Sequence, residues 1–259
     1  MSLLTGLAMG IAWAAEAEAR AEALPDDDLP FEYAIDNLVA ILYHELAHAL
    51  IDILEVPILG NEELAADALA VVLIDRLNGE DDAKGIVVNA AASFLMQDAA
   101  LQELGSTPRY WDQHGLDIQR YYTLACLIYG ANPEERGALL DLMSLPAERA
   151  EQCPREFEQV RAGWERYLGP LWRQPGDRTD VTLHYTPYRQ EGLHREDAAF
   201  EVGFEVVGLN HDLVLPAPVS VVFDPCGEAN AWYDPSRRQI MLCAELMDVL
   251  MAQGWEIYP

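Results

Sequence analysis

The stretch YHELAHALIDILEVPILGNEELAADALA, Tyr43 to Ala70, decides how this chain is read. Its first half continues an apolar run from Ala34 to Leu54 that contains neither Gly nor Pro. That run is too long for a strand and suits a buried helix. Pro57 and Gly60 break it, Asn61 is placed to cap a new helix, and Asn78-Gly79 ends that helix after Leu77. Two helices joined by so short a turn lie antiparallel as neighbours.

Within the first helix stands His44-Glu45-Leu46-Ala47-His48. Residues four apart share one helical face, so the two imidazoles can grip one zinc ion. Glu45, one position after His44, is set to reach a water beside the ion rather than the ion itself. That is the position of a general base. A catalytic zinc takes three protein ligands and keeps a fourth position open. Asp52 is carried a turn past the metal by a straight helix. There is no His six residues after His48, so the long metzincin pattern is absent. On the second helix Glu63 is the favoured third ligand, with Glu62 the alternative if the helix phase differs. Asp67, one turn beyond Glu63, is expected to hold the far nitrogen of a ligand imidazole.

HELAH followed by ELAAD is similar to the gluzincin clan of metallopeptidases, the clan of thermolysin. That resemblance implies Glu63 as ligand and Asp67 as its supporting carboxylate. More of the chain resembles an uncharacterised bacterial metallopeptidase family. The stretches that carry this are the opening one, WDQHGLDIQRYYTLACLIYGANP (111–133), LPAERAEQCPREFEQVRAGW (145–164) and CGEANAWYDPSRRQIMLCAEL (226–246). The last also resembles the strand-and-turn of prenyl-protein-type peptidases, in which an NA-x-x-x-P segment precedes the HExxH helix. Here Asn230-Ala231 follow it, so the resemblance implies a permuted order of elements. It also implies that the strand Arg238 to Cys243 lies beside the cleft as an edge strand able to pair with an extended substrate backbone, with Asn230 and Ala231 at that substrate-binding edge.

An oxyanion formed during hydrolysis needs a donor beyond the metal. His114, in the turn-rich loop GSTPRYWDQHG (105–115), is the first choice, and Arg120 and Tyr121 stand close behind. Arg120 can instead pair with a structural carboxylate. His184, His194 and His211 have no ligand spacing.

Further helices are expected from Gly85 to Leu104 and Leu116 to Tyr129, then after Pro133 and Pro146. From about residue 175 the pattern changes. Strands are expected at Asp180–Tyr185, Val219–Phe223 and Arg238–Cys243, and helices at Glu196–Leu213 and Ala244–Gln253. The fold class is α+β, mainly helical, with a zincin-like helix pair and a small C-terminal strand-and-helix portion. The expected division is a signal peptide over 1–17, a helical region over 30–175, and a C-terminal portion over 176–259 packed on the same unit.

Leu3 to Ala15 is apolar and is followed by Ala15-Glu16-Ala17, an A-x-A cleavage pattern, although no Lys or Arg precedes it. No later segment is read as a membrane span. Export and cysteine chemistry go together. If the chain is exported, its four cysteines pair as neighbours, Cys126–Cys153 and Cys226–Cys243. With 44 acidic against 16 basic residues, the net charge is −28. Such a surface repels phosphate backbones and excludes nucleic acid as a main partner. The expected partner is a peptide or protein substrate, and the expected cofactor is one zinc ion. The competing readings are a non-catalytic zinc-binding protein and an interaction module. Glu45 argues against the first, since a structural site has no need of it; the acidic surface would fit the second, but nothing in the sequence specifically marks such a surface.

Overall fold

A computed structural model describes residues 29–174, 181–187 and 193–259. The expected signal peptide lies outside them. The first helix, α1 (Leu29–Ile53), is followed by α2 (Glu62–Leu77), α3 (Glu80–Glu103) and α4 (Asp117–Ala131). Asn61 caps α2 by accepting the Leu64 amide at 3.3 Å. The α3 helix starts five residues earlier than Gly85, because Glu80, Asp81 and Asp82 favour the positive end of a helix.

Gly130 does not end α4 but lies inside it. Its lack of a side chain serves packing: a Cβ there would fall 2.3 Å from the carbonyl oxygen of Cys153. Nor does Pro133 open a helix. Residues 133–138 turn instead, held by the buried Arg136, which pairs with Asp75 and Glu80 and donates to the Ile128 carbonyl. Two one-turn helices follow, α5 (Leu139–Leu142) and, after Pro146 as expected, α6 (Ala147–Ala150). The long helix of this region, α7 (Cys153–Leu168), starts at a disulfide: Cys126 on α4 is bonded to Cys153.

The sheet has the order β1-β2-β4-β3, built from β1 (Leu183–Thr186), β2 (Val219–Asp224), β3 (Ala231–Asp234) and β4 (Gln239–Cys243). β1, β2 and β4 are parallel, and β3 runs antiparallel to β4. Between β1 and β2 runs α8 (Leu193–Asp212), and α9 (Glu245–Ile257) follows β4. A second disulfide, Cys226–Cys243, ties the approach to β3 to the end of β4. This order corrects one expectation. The strand at 239–243 is interior, and the edge beside it is β3, a strand hidden in what reads as a turn-rich stretch. Four residues ending in Asp234 and flanked by Asn230 and Pro235 give too short an alternation to be seen.

The α1 helix is the spine. It packs on α2, α3, α8 and α9 and touches β3 and β4. Against α9 the approach is so close that a Cβ on Gly254 would fall 2.6 Å from the Pro30 carbonyl oxygen. By length and composition alone α1 could cross a membrane, contrary to the sequence reading, yet 67% of its most apolar window is buried inside the protein. The apolar run is therefore satisfied by core packing. One cluster of buried apolar residues takes in Leu46 of α1, Leu73 of α2, Leu127 of α4, Val221 of β2 and Met247 of α9.

Candidate metal centre

The α1–α2 pair brings His44, His48 and Glu63 together. Nε2 of His44 lies 3.2 Å from Nε2 of His48. Oε2 of Glu63 is 3.3 Å from the first and 3.6 Å from the second. Zinc bonds of about 2.0–2.1 Å in tetrahedral geometry require donor atoms about 3.3–3.4 Å apart. The three donors thus stand near the corners of a tetrahedral face, and two imidazoles with a carboxylate could hold a metal ion there.

The atoms behind the donors are also engaged. Nδ1 of His44 is buried and lies 2.9 Å from Oδ1 of Asp67, close enough for an ion pair but outside hydrogen-bond geometry. Asp67 is clamped from its other side by Arg120 of α4, Nε to Oδ2 at 2.7 Å and Nη2 to Oδ1 at 2.6 Å. The guanidinium carbon of Arg120 lies 4.0 Å over the Phe94 ring of α3. Nδ1 of His48 meets Oε1 of Glu62 at 2.9 Å. Glu62, the alternative ligand from sequence, therefore sits on the nitrogen of His48 that faces away from the donor triangle. Asp52 is likewise elsewhere, accepting the Tyr233 hydroxyl at 2.8 Å.

The electrostatics suit a cation. Burial works against a charge on His44, but Asp67 and Glu63 outweigh it and raise its pKa to about 9. Burial also opposes the charge on Glu63, and His44 and His48 overcome it, holding the carboxyl far below its ordinary range. A metal ion in the triangle would supply the positive charge these carboxylates otherwise draw from protonated imidazole.

Glu45 is 7% exposed, and burial raises its pKa against the opposing pull of His44 and His48. The backbone amide of Tyr233 in β3 also points at it and lowers its pKa. His114 reaches in from the 105–116 loop. Its Nε2 is 3.2 Å from Oε2 of Glu63, and its Nδ1 is 3.3 Å from Oδ1 of Asp112. It is half exposed, at 50%.

A cavity of about 300 Å³ joins these parts, bordered by His44, Glu45, His114 and Arg120, and by Asn230 and Ala231 at the start of β3. Asn230 accepts the Cys243 amide at 3.0 Å and so faces β4 with its main chain. By the antiparallel alternation, Ala231 and Tyr233 turn their main-chain polar groups away from β4, where the Ala231 amide donates to Oδ1 of Asn230 at 2.9 Å and the Tyr233 amide points at Glu45. Tyr121 is elsewhere, its hydroxyl donating to the Met143 carbonyl at 2.6 Å. Sequence reasoning allowed Arg120 a structural carboxylate without naming Asp67, and it missed Glu62 as the partner of His48 and the placement of Tyr233. Each contact joins residues on different elements, and only the Asn61 cap and the helix phase could have pointed to that of Glu62.

No curated protein and no solved structure matches the chain. A family model described as "Putative metallopeptidase" matches residues 8–168 and 187–255. The chain belongs to that family.

Proposed function

From this membership and the donor triangle, we propose that the protein is a zinc-dependent peptidase with His44, His48 and Glu63 as metal ligands and Glu45 as general base. The observation that carries the reading is the spacing of the three donor atoms, 3.2, 3.3 and 3.6 Å, with the buried carboxyl of Glu45 beside them. A zinc ion held there would polarise a peptide carbonyl and make water acidic enough to attack at neutral pH.

Glu45 accepts the proton of the attacking water, a role suited to a carboxyl whose pKa is raised by burial. Asp67, braced by Arg120, fixes the ring of His44, and Glu62 does the same for His48. His114, turned inward by Asp112, donates to the oxyanion. The carbonyl of Ala231, and its amide once the Asn230 side chain gives it up, pair with an extended peptide backbone and lay it across the site. Two disulfides support a place outside the reducing cytosol, so the substrate is a peptide or protein met after export.

Glu45→Gln separates this reading from a zinc protein without catalysis. The variant is expected to keep one zinc per chain by metal analysis and to lose peptide hydrolysis by at least about 10²-fold. Unchanged turnover removes Glu45 as base. Wild-type protein that takes up no zinc removes the metal site.

A further inference from the structure

The helix α1 fixes where the main chain of Glu45 stands, but not where its flexible side chain points. The residue is 7% exposed, and among the described residues no side chain hydrogen-bonds its carboxylate. The polar group that β3 aims at it is the main-chain amide of Tyr233. That amide is available because Tyr233 pairs with Ile240 at a position where β3 turns its amides away from β4.

The same residue reaches α1 a second time. Its hydroxyl donates to Oδ2 of Asp52 at 2.8 Å. Burial and the Asp52 carboxylate push the pKa of this hydroxyl up, so it keeps its proton and remains a donor at neutral pH. Glu45 and Asp52 stand two turns apart on one face of α1, about 10 Å at the helical rise of 1.5 Å per residue, with His48 between them. Tyr233 therefore bridges the turn that carries His48, its amide at one end and its hydroxyl at the other. Among the described residues no other member of β3 is hydrogen-bonded to α1. The loop before β3 is held separately. Cys226 is bonded to Cys243, and Glu245 accepts the amides of Cys226 and Gly227 at 3.1 and 2.9 Å. Those ties run to β4 and α9 and do not reach α1.

We propose that Tyr233 is a positioning residue for Glu45: its hydroxyl bond to Asp52 holds β3 against α1, and its amide then orients the Glu45 carboxyl beside the donor triangle. This inference rests on the peptidase reading above and deepens it, with Asp52 as the anchor.

Tyr233→Phe and Asp52→Ala remove the two ends of one bond. In the zinc-loaded protein each is expected to lower kcat roughly three- to tenfold, the size of one hydrogen bond, with KM, zinc affinity and the denaturant midpoint unchanged. Asp52→Asn keeps a side-chain oxygen that can accept the hydroxyl, and it is expected to recover most of the loss. A role that runs through Glu45 vanishes when Glu45 is replaced. Tyr233→Phe is therefore expected to leave the residual turnover of Glu45→Gln as it is, whereas a residue that only braces the fold would slow both backgrounds alike. An unchanged kcat in Tyr233→Phe, a rise in KM at constant kcat, or equal slowing in the Glu45→Gln background overturns the inference and leaves the peptidase reading standing.

A second measurement needs neither metal nor turnover. Exchange of the Tyr233 amide hydrogen with solvent is followed by NMR in protein carrying isotope-labelled tyrosine. Glu45→Ala removes the acceptor and Asp52→Ala frees the strand, and each is expected to speed exchange roughly tenfold or more. Asp52→Asn is expected to exchange as wild type does. Unchanged exchange in either alanine variant overturns the inference even if the enzyme hydrolyses peptides. Faster exchange in both, with no hydrolysis by wild type, upholds the link from Asp52 through Tyr233 to Glu45 and overturns the peptidase reading.

Discussion

At the scale of single residues, Arg120 is the least replaceable group that no ligand list would include. Its two bonds to Asp67 are the only link from α4 to the His44 imidazole among the described contacts. Outer-sphere partners of this kind typically change metal affinity by about 10–100-fold. Arg120→Ala is expected to weaken zinc binding by that factor in a chelator competition. Arg120→Lys should restore little, since an ammonium cannot form the planar two-pronged contact. An unchanged zinc affinity in Arg120→Ala would remove the positioning role. Asp36 of α1 offers a different test. Burial raises its pKa to about 7 despite the 2.7 Å bond from Asn89, with Glu32 and Asp82 adding to the rise. Below its ordinary value of 3.8 the carboxyl is neutral in folded and unfolded chains alike. As pH rises towards 7 the unfolded chain ionises first, so stability falls, and above 7 the loss is constant. Asp36→Asn is expected to be more stable than wild type at pH 8, by on the order of 3 kcal/mol, and to differ little at pH 4. Denaturant unfolding at the two pH values reads both. The histidine pair and Glu45 are legible in sequence because their geometry is set within one helix turn. Glu63 is legible because a capped short turn fixes where α2 begins. The Asp67–Arg120 clamp joins residues 53 apart, and no local periodicity encodes that distance.

Among the elements, the α4–α7 contact shows why local propensity misled. A glycine inside a helix costs about 1 kcal/mol relative to alanine, so Gly130 reads as a stop. It is kept because Cys153 brings its backbone against α4 through the disulfide. Gly130→Ala sets a propensity gain of about 1 kcal/mol against a 2.3 Å clash with a backbone oxygen that cannot rotate away. The clash wins, and the expected result is a net loss of about 1–3 kcal/mol in denaturant unfolding. A net gain would show that α7 can shift to make room. The sheet carries the same lesson in another form. β2 and β4 are apolar runs and stand out. β3 became visible only in space, where Tyr233 reaches Asp52 of α1 and the strand lies along the cleft. The edge expected at 239–243 is thus one strand further out.

For the whole molecule, charge matters more than any single ion pair. A net charge of −28 on 259 residues repels itself in the compact state. Raising ionic strength from about 0.01 to about 0.15 M shortens the screening length from roughly 30 to 8 Å. The melting temperature at neutral pH is expected to rise over that range, and a fall would mean that attractive pairs dominate the surface. The placement of α1 has a last consequence. The helix that carries His44, Glu45 and His48 is enclosed by four other helices, so its amides can open only when the core does. The opposite wall of the cleft is a four-residue edge strand, bonded to the sheet on one side only. The cleft therefore has one wall set by the core and one tied to that wall through Tyr233, whose hydroxyl donates to Asp52 and whose amide points at Glu45. On the proposed reading, a substrate that shifts β3 would have to loosen Tyr233 first, while His44, Glu45 and His48 stay where the core holds them.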